Sequence, residues 1–322
     1  MSVPLADYTR NPQYGTTRDG FGKGLVEAAE KHPNLIGLCA DLTESTRMEW
    51  FADKYPERFV EMGVAEENMV GVAAGLALGG KKAVAASYAV FSPGNSLGPL
   101  RSSVCYSNLD VKIIGGHSGM SAGPDGATHQ ALEDLAVMRT LPNMTVVVPC
   151  DQEEARKAML ALADQVGPGY LRTGKHSVLT ITTPETPFLI GRAETFQEGK
   201  DIAIIAVGVM VAPALDAAAM LEQKGISAKV INMHTIKPLD LTAIADAAQT
   251  GAIVTAEEHQ VAGGLGSAVA EAVVKLPRPI PIGMVGVNDS FGESGETNDL
   301  MRKHGLNAIN IVDKALEVLQ RK

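Results

Sequence analysis

Aromatic side chains make up only 4% of the 322 residues, so the cores of this chain must be built from aliphatic and small side chains. No uninterrupted apolar run reaches the ~20 residues that a membrane-spanning helix needs. The start, MSVPLADYTRNPQYG, lacks the apolar region of a secretory signal. Basic side chains are also short: 28 Lys and Arg stand against 37 Asp and Glu, a net charge of -9. That balance argues against a nucleic-acid backbone or an anionic membrane as the main partner, and any bound anion must be gripped by a few local arginines. The three cysteines, Cys39, Cys105 and Cys150, are odd in number, far apart and without paired metal spacing. They read as buried reduced thiols, and the expected location is the cytoplasm.

What the chain does have is glycine, 33 residues of it, within a 45% hydrophobic composition. Such a balance suits α/β layers, where helices lie close on sheets. The length favours two domains. Short apolar runs at 35–39, 58–61, 83–86, 111–116, 144–149 and 169–172 alternate with helical stretches such as DGFGKGLVEAAEKH and DQEEARKAMLALADQ. Strand–helix–strand repetition implies a parallel sheet covered on both faces. Residues 182–201 then lose any clear period and read as a linker with a short hairpin. A second α/β set follows, with strands at 202–208, 227–233 and 251–258 and a last amphipathic helix near the C-terminus. The expectation is two α/β domains with mainly parallel sheets covered by helices: 15–175, a linker over 176–200, and 201–322.

Three stretches carry the candidate chemistry. In MGVAEENMVGVAAGLALGG, Glu66 and Glu67 stand at the start of a small-residue helix, where free N–H groups favour negative charge. GGHSGMSAGPDGATHQ (115–130) follows a buried strand and brings His117, Asp125 and His129 into a glycine-rich loop. Ligands of open parallel sheets bind at loops leaving the carboxyl ends of strands, so its position suits a site. In SYAVF, Tyr88 and Phe91 lie three apart at the end of a strand, in a chain with few aromatics. No carboxylate stands at helical spacing from both histidines, so no metal site is expected.

GVAEENM with its small-residue helix, ASYAVFSPG, and HSGMSAGPDGATHQALEDLAVMRTLPNMTVVVP together resemble the pyrimidine-binding domain of transketolases. HTIKPLD and EEHQVAGGLGSAVAE resemble their C-terminal domain. The resemblance implies thiamine diphosphate as cofactor, with Glu66 contacting the ring nitrogen of its aminopyrimidine and sharing a proton with it. It implies that Tyr88 and Phe91 stack on that ring, and that Asp41 lies at the cofactor and subunit contact. It places Arg18, Ser45, His117 and Arg172 on the acceptor's phosphate, Asp125 on a sugar hydroxyl and His129 near the reacting end of the ketose. His117 and His129 would assist proton transfer.

The family's GDG motif, which holds the diphosphate through Mg²⁺ or Ca²⁺, has no counterpart; PDG at 124–126 is in the wrong context. The expectation is therefore the C-terminal section of a split transketolase. It would act on sugar phosphates only with an N-terminal subunit carrying the metal site, most simply as α2β2. Two other readings stay open here: the β-subunit of a 2-oxoacid dehydrogenase, and a regulatory subunit that keeps the fold without catalysis.

Overall fold

The computed structural model describes residues 3–322. Its strands are β1 (Tyr14–Gly15), β2 (Leu35–Cys39), β3 (Phe59–Glu61), β4 (Lys82–Tyr88), β5 (Val111–Gly116), β6 (Thr145–Val147) and β7 (Gly169–Arg172). They continue with β8 (Val178–Leu179), β9 (Glu194–Gln197), β10 (Ile202–Ala206), β11 (Ala228–Asn232), β12 (Thr235–Lys237), β13 (Ile253–Gln260) and β14 (Ile282–Val287). Seven form one sheet in the order β12-β6-β7-β5-β4-β2-β3, and five form a second in the order β14-β13-β10-β11-β9. β1 and β8 pair as a small antiparallel third sheet, while the two large sheets are helix-covered and mainly parallel, as composition and periodicity imply.

Parallel strands flanked by helices are buried on both faces, which favours uninterrupted apolar runs. β5, VKIIGG, is buried at all six positions. The helix Thr17–Lys31 starts at Thr16, whose hydroxyl accepts from the Asp19 N–H at 3.1 Å. It packs against the helix Gln152–Asp164 through Gly20, where a Cβ would lie 2.0 Å from the Gln152 carbonyl oxygen. Only glycine admits that approach. Phe21 and Leu25 of this helix are fully buried beside Phe51, Met159 and Leu162. Each such side chain contributes about 1.5–3 kcal/mol of transfer free energy.

The segment read as a linker is not all linker. Glu194–Gln197 is β9, an antiparallel edge strand paired to β11. Its four residues bury only alternate side chains, a signal too short to read beside Pro, Thr and charge. β12, from the HTIKPLD stretch, leaves its own half of the chain and pairs antiparallel with β6, Thr235 opposite Val147. One apolar cluster accordingly runs from Leu38 and Met69 through Met138 and Val148 to Ile205, Met233 and Leu265. All three cysteines are free and buried. Among the described residues no helix is long and apolar enough to cross a membrane.

Candidate active site

Because β2, β4, β5 and β7 run parallel, their carboxyl ends share one edge of the sheet. Asp41, Tyr88, His117 and Lys175 all sit at or just beyond that edge. His117 adopts a left-handed backbone (φ 51°) as the chain leaves β5, which turns its ring toward the end of β4. There it stacks on Tyr88 at a centroid distance of 4.0 Å. Phe91 stacks on Tyr88 at 5.8 Å, and His129 meets Phe91 edge-on at 5.3 Å. The two aromatics and two histidines singled out from the sequence thus form one ring cluster, separated by up to 41 positions in the chain.

The electrostatics of this cluster are those of a neutral imidazole among cations. Burial, then Arg18 and Lys175, lower His117 to about 3, so it is uncharged at neutral pH. Its Nδ1 is buried without a hydrogen-bond partner among the described residues. Arg18 stands in the first turn of the Thr17–Lys31 helix, where Nη1 donates to the Ser45 carbonyl at 3.0 Å. Its Nε is also buried and, among the described residues, unpartnered. Burial, then Arg47, pull its guanidinium below its usual value. Asp125 accepts from Lys175 Nζ at 2.6 Å. The sequence reading named Arg18, Ser45 and Asp125 but missed Lys175. Its one available signal was position, in the loop leaving the carboxyl end of β7.

Arg172, expected on the acceptor's phosphate, is engaged by protein in this structure. It is 5% exposed and its guanidinium is spent on protein: Nε and Nη2 reach Asp134 at 2.9 and 3.2 Å, and Nη2 also donates to the Ala131 and Glu258 carbonyls. The cavity it lines holds about 20 Å³, room for one water and not for a sugar phosphate. Arg172 ties the two halves of the chain together rather than facing the cluster. The cations whose charge acts on His117 are Arg18 and Lys175.

Glu66 opens the helix Glu66–Leu78 and is 8% exposed, whereas Glu67 beside it is exposed. It lines an open cleft of about 620 Å³ together with Ala65, Glu67, Asn68, Gly71, Asn95 and Pro99. Asn95 lies one helical turn after Phe91, to whose carbonyl its N–H donates at 2.8 Å, so the cleft adjoins the ring cluster. Asp41 (φ 58°) has an exposed side chain, and its N–H donates to Glu61 at 2.7 Å. Glu61 also accepts from the Thr43 hydroxyl and the Gly63 N–H, shaping both the Asp41 turn and the approach to Glu66. Sequence reasoning passed over Glu61, although a carboxylate ending a strand was its signal.

The sequence pattern described as transketolase, pyrimidine binding domain, matches residues 14–179, and that described as transketolase, C-terminal domain, matches 191–311. The chain belongs to the transketolase family. It is 42% identical over 306 residues to the 6-deoxy-6-sulfo-D-fructose transketolase subunit of Clostridium sp. (strain MSTE9), covering 95% of each chain. It is 38% identical over 306 residues to an apulose-4-phosphate transketolase subunit of Phocaeicola vulgatus, covering 94% of this chain and 97% of that one. A solved structure titled split gene transketolase, inactive beta4 tetramer, superposes with a TM-score of 0.89 at 46% identity, covering 95% of this chain and 98% of that one. In transketolase terms, the seven-stranded sheet falls in the pyrimidine-binding match and the five-stranded sheet in the C-terminal match, apart from the transferred β12.

Proposed function

We propose that this chain is the C-terminal subunit of a split thiamine-diphosphate-dependent transketolase that moves a two-carbon ketol unit from a ketose phosphate to an aldose acceptor. The observation that carries this reading is the convergence of Tyr88, Phe91, His117 and His129, flanked by Arg18 and the Asp125–Lys175 pair, beside the Glu66 cleft. The division that goes with it is a pyrimidine-binding part over 15–175, a C-terminal part over 201–322, and a connection over 176–200 that contributes β8 and β9.

The residues fit the cofactor's pyrimidine end. A buried carboxyl at a helix start, next to a cleft and an aromatic pair, suits a polar heteroaromatic ring. Thiamine diphosphate, when bound, supplies the carbanion chemistry that breaks a ketose beside its carbonyl. Glu66 would hold and share the proton at the ring nitrogen, Tyr88 and Phe91 would orient the ring, and Asp41 would border it at the subunit contact. His117, neutral and with Nδ1 free, would accept from or donate to a sugar hydroxyl. His129 would serve the reacting end, Asp125 would read a further hydroxyl, and Arg18 with the Ser45 segment and Lys175 would hold the phosphate. The ligands for Mg²⁺ or Ca²⁺ are assigned mainly to the N-terminal partner, because the family's GDG motif has no counterpart in this sequence. The simplest assembly is two of each chain, in the cytoplasm. Relatives named as transketolase subunits favour this over an oxoacid dehydrogenase or a regulatory role.

The test is ketol transfer by purified chain with thiamine diphosphate and Mg²⁺, with and without the N-terminal partner. Activity is expected only with both chains. Substantial turnover by the lone chain would overturn the half-site reading.

A further inference from the structure

The loop bearing His117, Asp125 and His129 is held only in part by its own turns, among them the Gly126 N–H on the Gly123 carbonyl at 3.1 Å and Gln130 Nε2 on the same carbonyl at 3.2 Å. It passes through left-handed backbone at His117, Gly119, Gly123 and Gly126 (φ 51, 81, 67 and 80°) and contains only broken 3-10 turns. The first half of the chain adds ties at Ser118, whose hydroxyl donates to the Thr173 carbonyl at 3.0 Å, and at Asp125, paired with Lys175; the remaining ties come from the far half. Glu258, in the last part of β13 and 3% exposed, accepts from the Ser121 N–H and, at 3.1 Å, from the Ser121 hydroxyl. Thr297 Oγ donates to the Ser121 carbonyl at 3.2 Å, and Gln130 Nε2 donates to the Glu293 carbonyl at 3.0 Å.

Two details separate this from ordinary packing. The neighbouring Glu257 stays within its own half, where it accepts from the Leu265 and Gly266 N–H groups at 2.7 and 2.8 Å. Strand alternation sends Glu258 the other way, across to the loop. The loop, in turn, makes room for it: a Cβ on Gly119 would lie 2.4 Å from the carboxyl carbon of Glu258. A buried carboxyl costs free energy unless it is hydrogen-bonded, and both donors given to this side chain belong to Ser121.

We propose that Glu258 is a positioning residue: through Ser121 it fixes the 117–130 loop so that His117, Asp125 and His129 meet the sugar together. The C-terminal half thereby governs substrate recognition from behind the loop. This rests on the reading of that loop as the substrate-binding segment.

The test combines amide hydrogen exchange on the lone chain with ketol transfer and cofactor binding by the reconstituted pair, for Glu258→Ala, Glu258→Gln and Ser121→Ala. In Glu258→Ala, exchange within 117–131 should accelerate about 10- to 100-fold, the worth of the two hydrogen bonds lost together, with the rest of the chain unchanged. Sugar kcat/KM should fall by a similar factor while affinity for thiamine diphosphate stays put. Glu258→Gln should restore most of both, since its carbonyl accepts from the Ser121 N–H and the Ser121 hydroxyl can accept from its amide. Ser121→Ala, which leaves β13 intact, gives a smaller loss of the same pattern and carries the test if Glu258→Ala does not fold. Unchanged exchange in 117–131, an acceleration spread over the whole chain, or no recovery with Gln would overturn the proposal. Absent ketol transfer by the wild-type pair would instead remove the proposed function and leave exchange to decide the positioning role.

Discussion

Arg172→Ala separates an arginine that binds substrate from one that holds the molecule together. Removing the guanidinium leaves the Asp134 carboxylate 2% exposed, with the Tyr170 hydroxyl at 2.7 Å as a surviving donor. Breaking a buried ion pair from one side costs about 3–5 kcal/mol, because the remaining charge is stranded. The carbonyls of Ala131 and Glu258 lose a donor as well. At roughly 2–4 °C per kcal/mol, the melting temperature should drop by about 6–20 °C. Burial alone would raise Asp134, but Arg172 and His259 outweigh it and hold the carboxyl below its ordinary 3.8. Its contribution is therefore present above that value and lost as pH falls through the lower folded value. The assay is calorimetric or circular-dichroism melting of the variant, alongside KM for a phosphorylated acceptor and for glycolaldehyde. Both acceptors should suffer alike, and Asp134→Asn added to Arg172→Met should recover much of the stability because no buried charge is left alone. A melting temperature within about 2 °C of wild type, with KM raised only for the phosphorylated acceptor, would refute this account.

The remaining predictions concern the ring cluster and its flanks. Glu66→Gln should lower ketol transfer by about 10²–10⁴-fold without changing the melting temperature, while Glu67→Gln costs far less; equal losses would undo the division of roles. Lys175→Met and Arg18→Met should each raise KM for phosphorylated acceptors by roughly 10- to 100-fold and spare glycolaldehyde, so an equal rise for both acceptors would place the phosphate elsewhere. His117→Asn, which tolerates the left-handed backbone, tests linkage: the histidine is held at about 3 when folded against 6.5 unfolded. The unfolded chain alone binds that proton in between, so wild type should lose stability relative to the variant as pH falls from about 6.5 toward 3. Parallel denaturation curves at all pH values would contradict the assigned environment.

Strands buried on both faces were the readable part of the sequence. LIGLC, VKIIGG and GYLR coincide with β2, β5 and β7 to the residue, because a parallel strand between helices needs one continuous apolar run. β9 and β12 were not readable as sheet members, since four and three residues at an edge carry no pattern of their own and their pairing is decided by tertiary neighbours. The same distinction runs through the site. His117, Asp125 and His129 announced themselves as polar groups in a glycine-rich loop after a buried strand. An arginine ending a strand looks identical whether it faces solvent or an aspartate 38 positions earlier, so the Arg172–Asp134 pair was not readable. Glu258 lies 137 residues from Ser121, a partnership that no local motif encodes.

The antiparallel seat of β12 has a consequence for synthesis. β6, fully buried in the finished protein, is covered on one side by a strand that follows Val147 by roughly ninety residues. At about 5–20 residues per second, the nascent first sheet waits some 5–20 s with an apolar edge open, the kind of edge that templates pairing with other chains. Expression of residues 1–200 alone would make that interval permanent. Such a fragment should precipitate or recruit chaperones, and supplying residues 201–322 in trans should draw it back into solution.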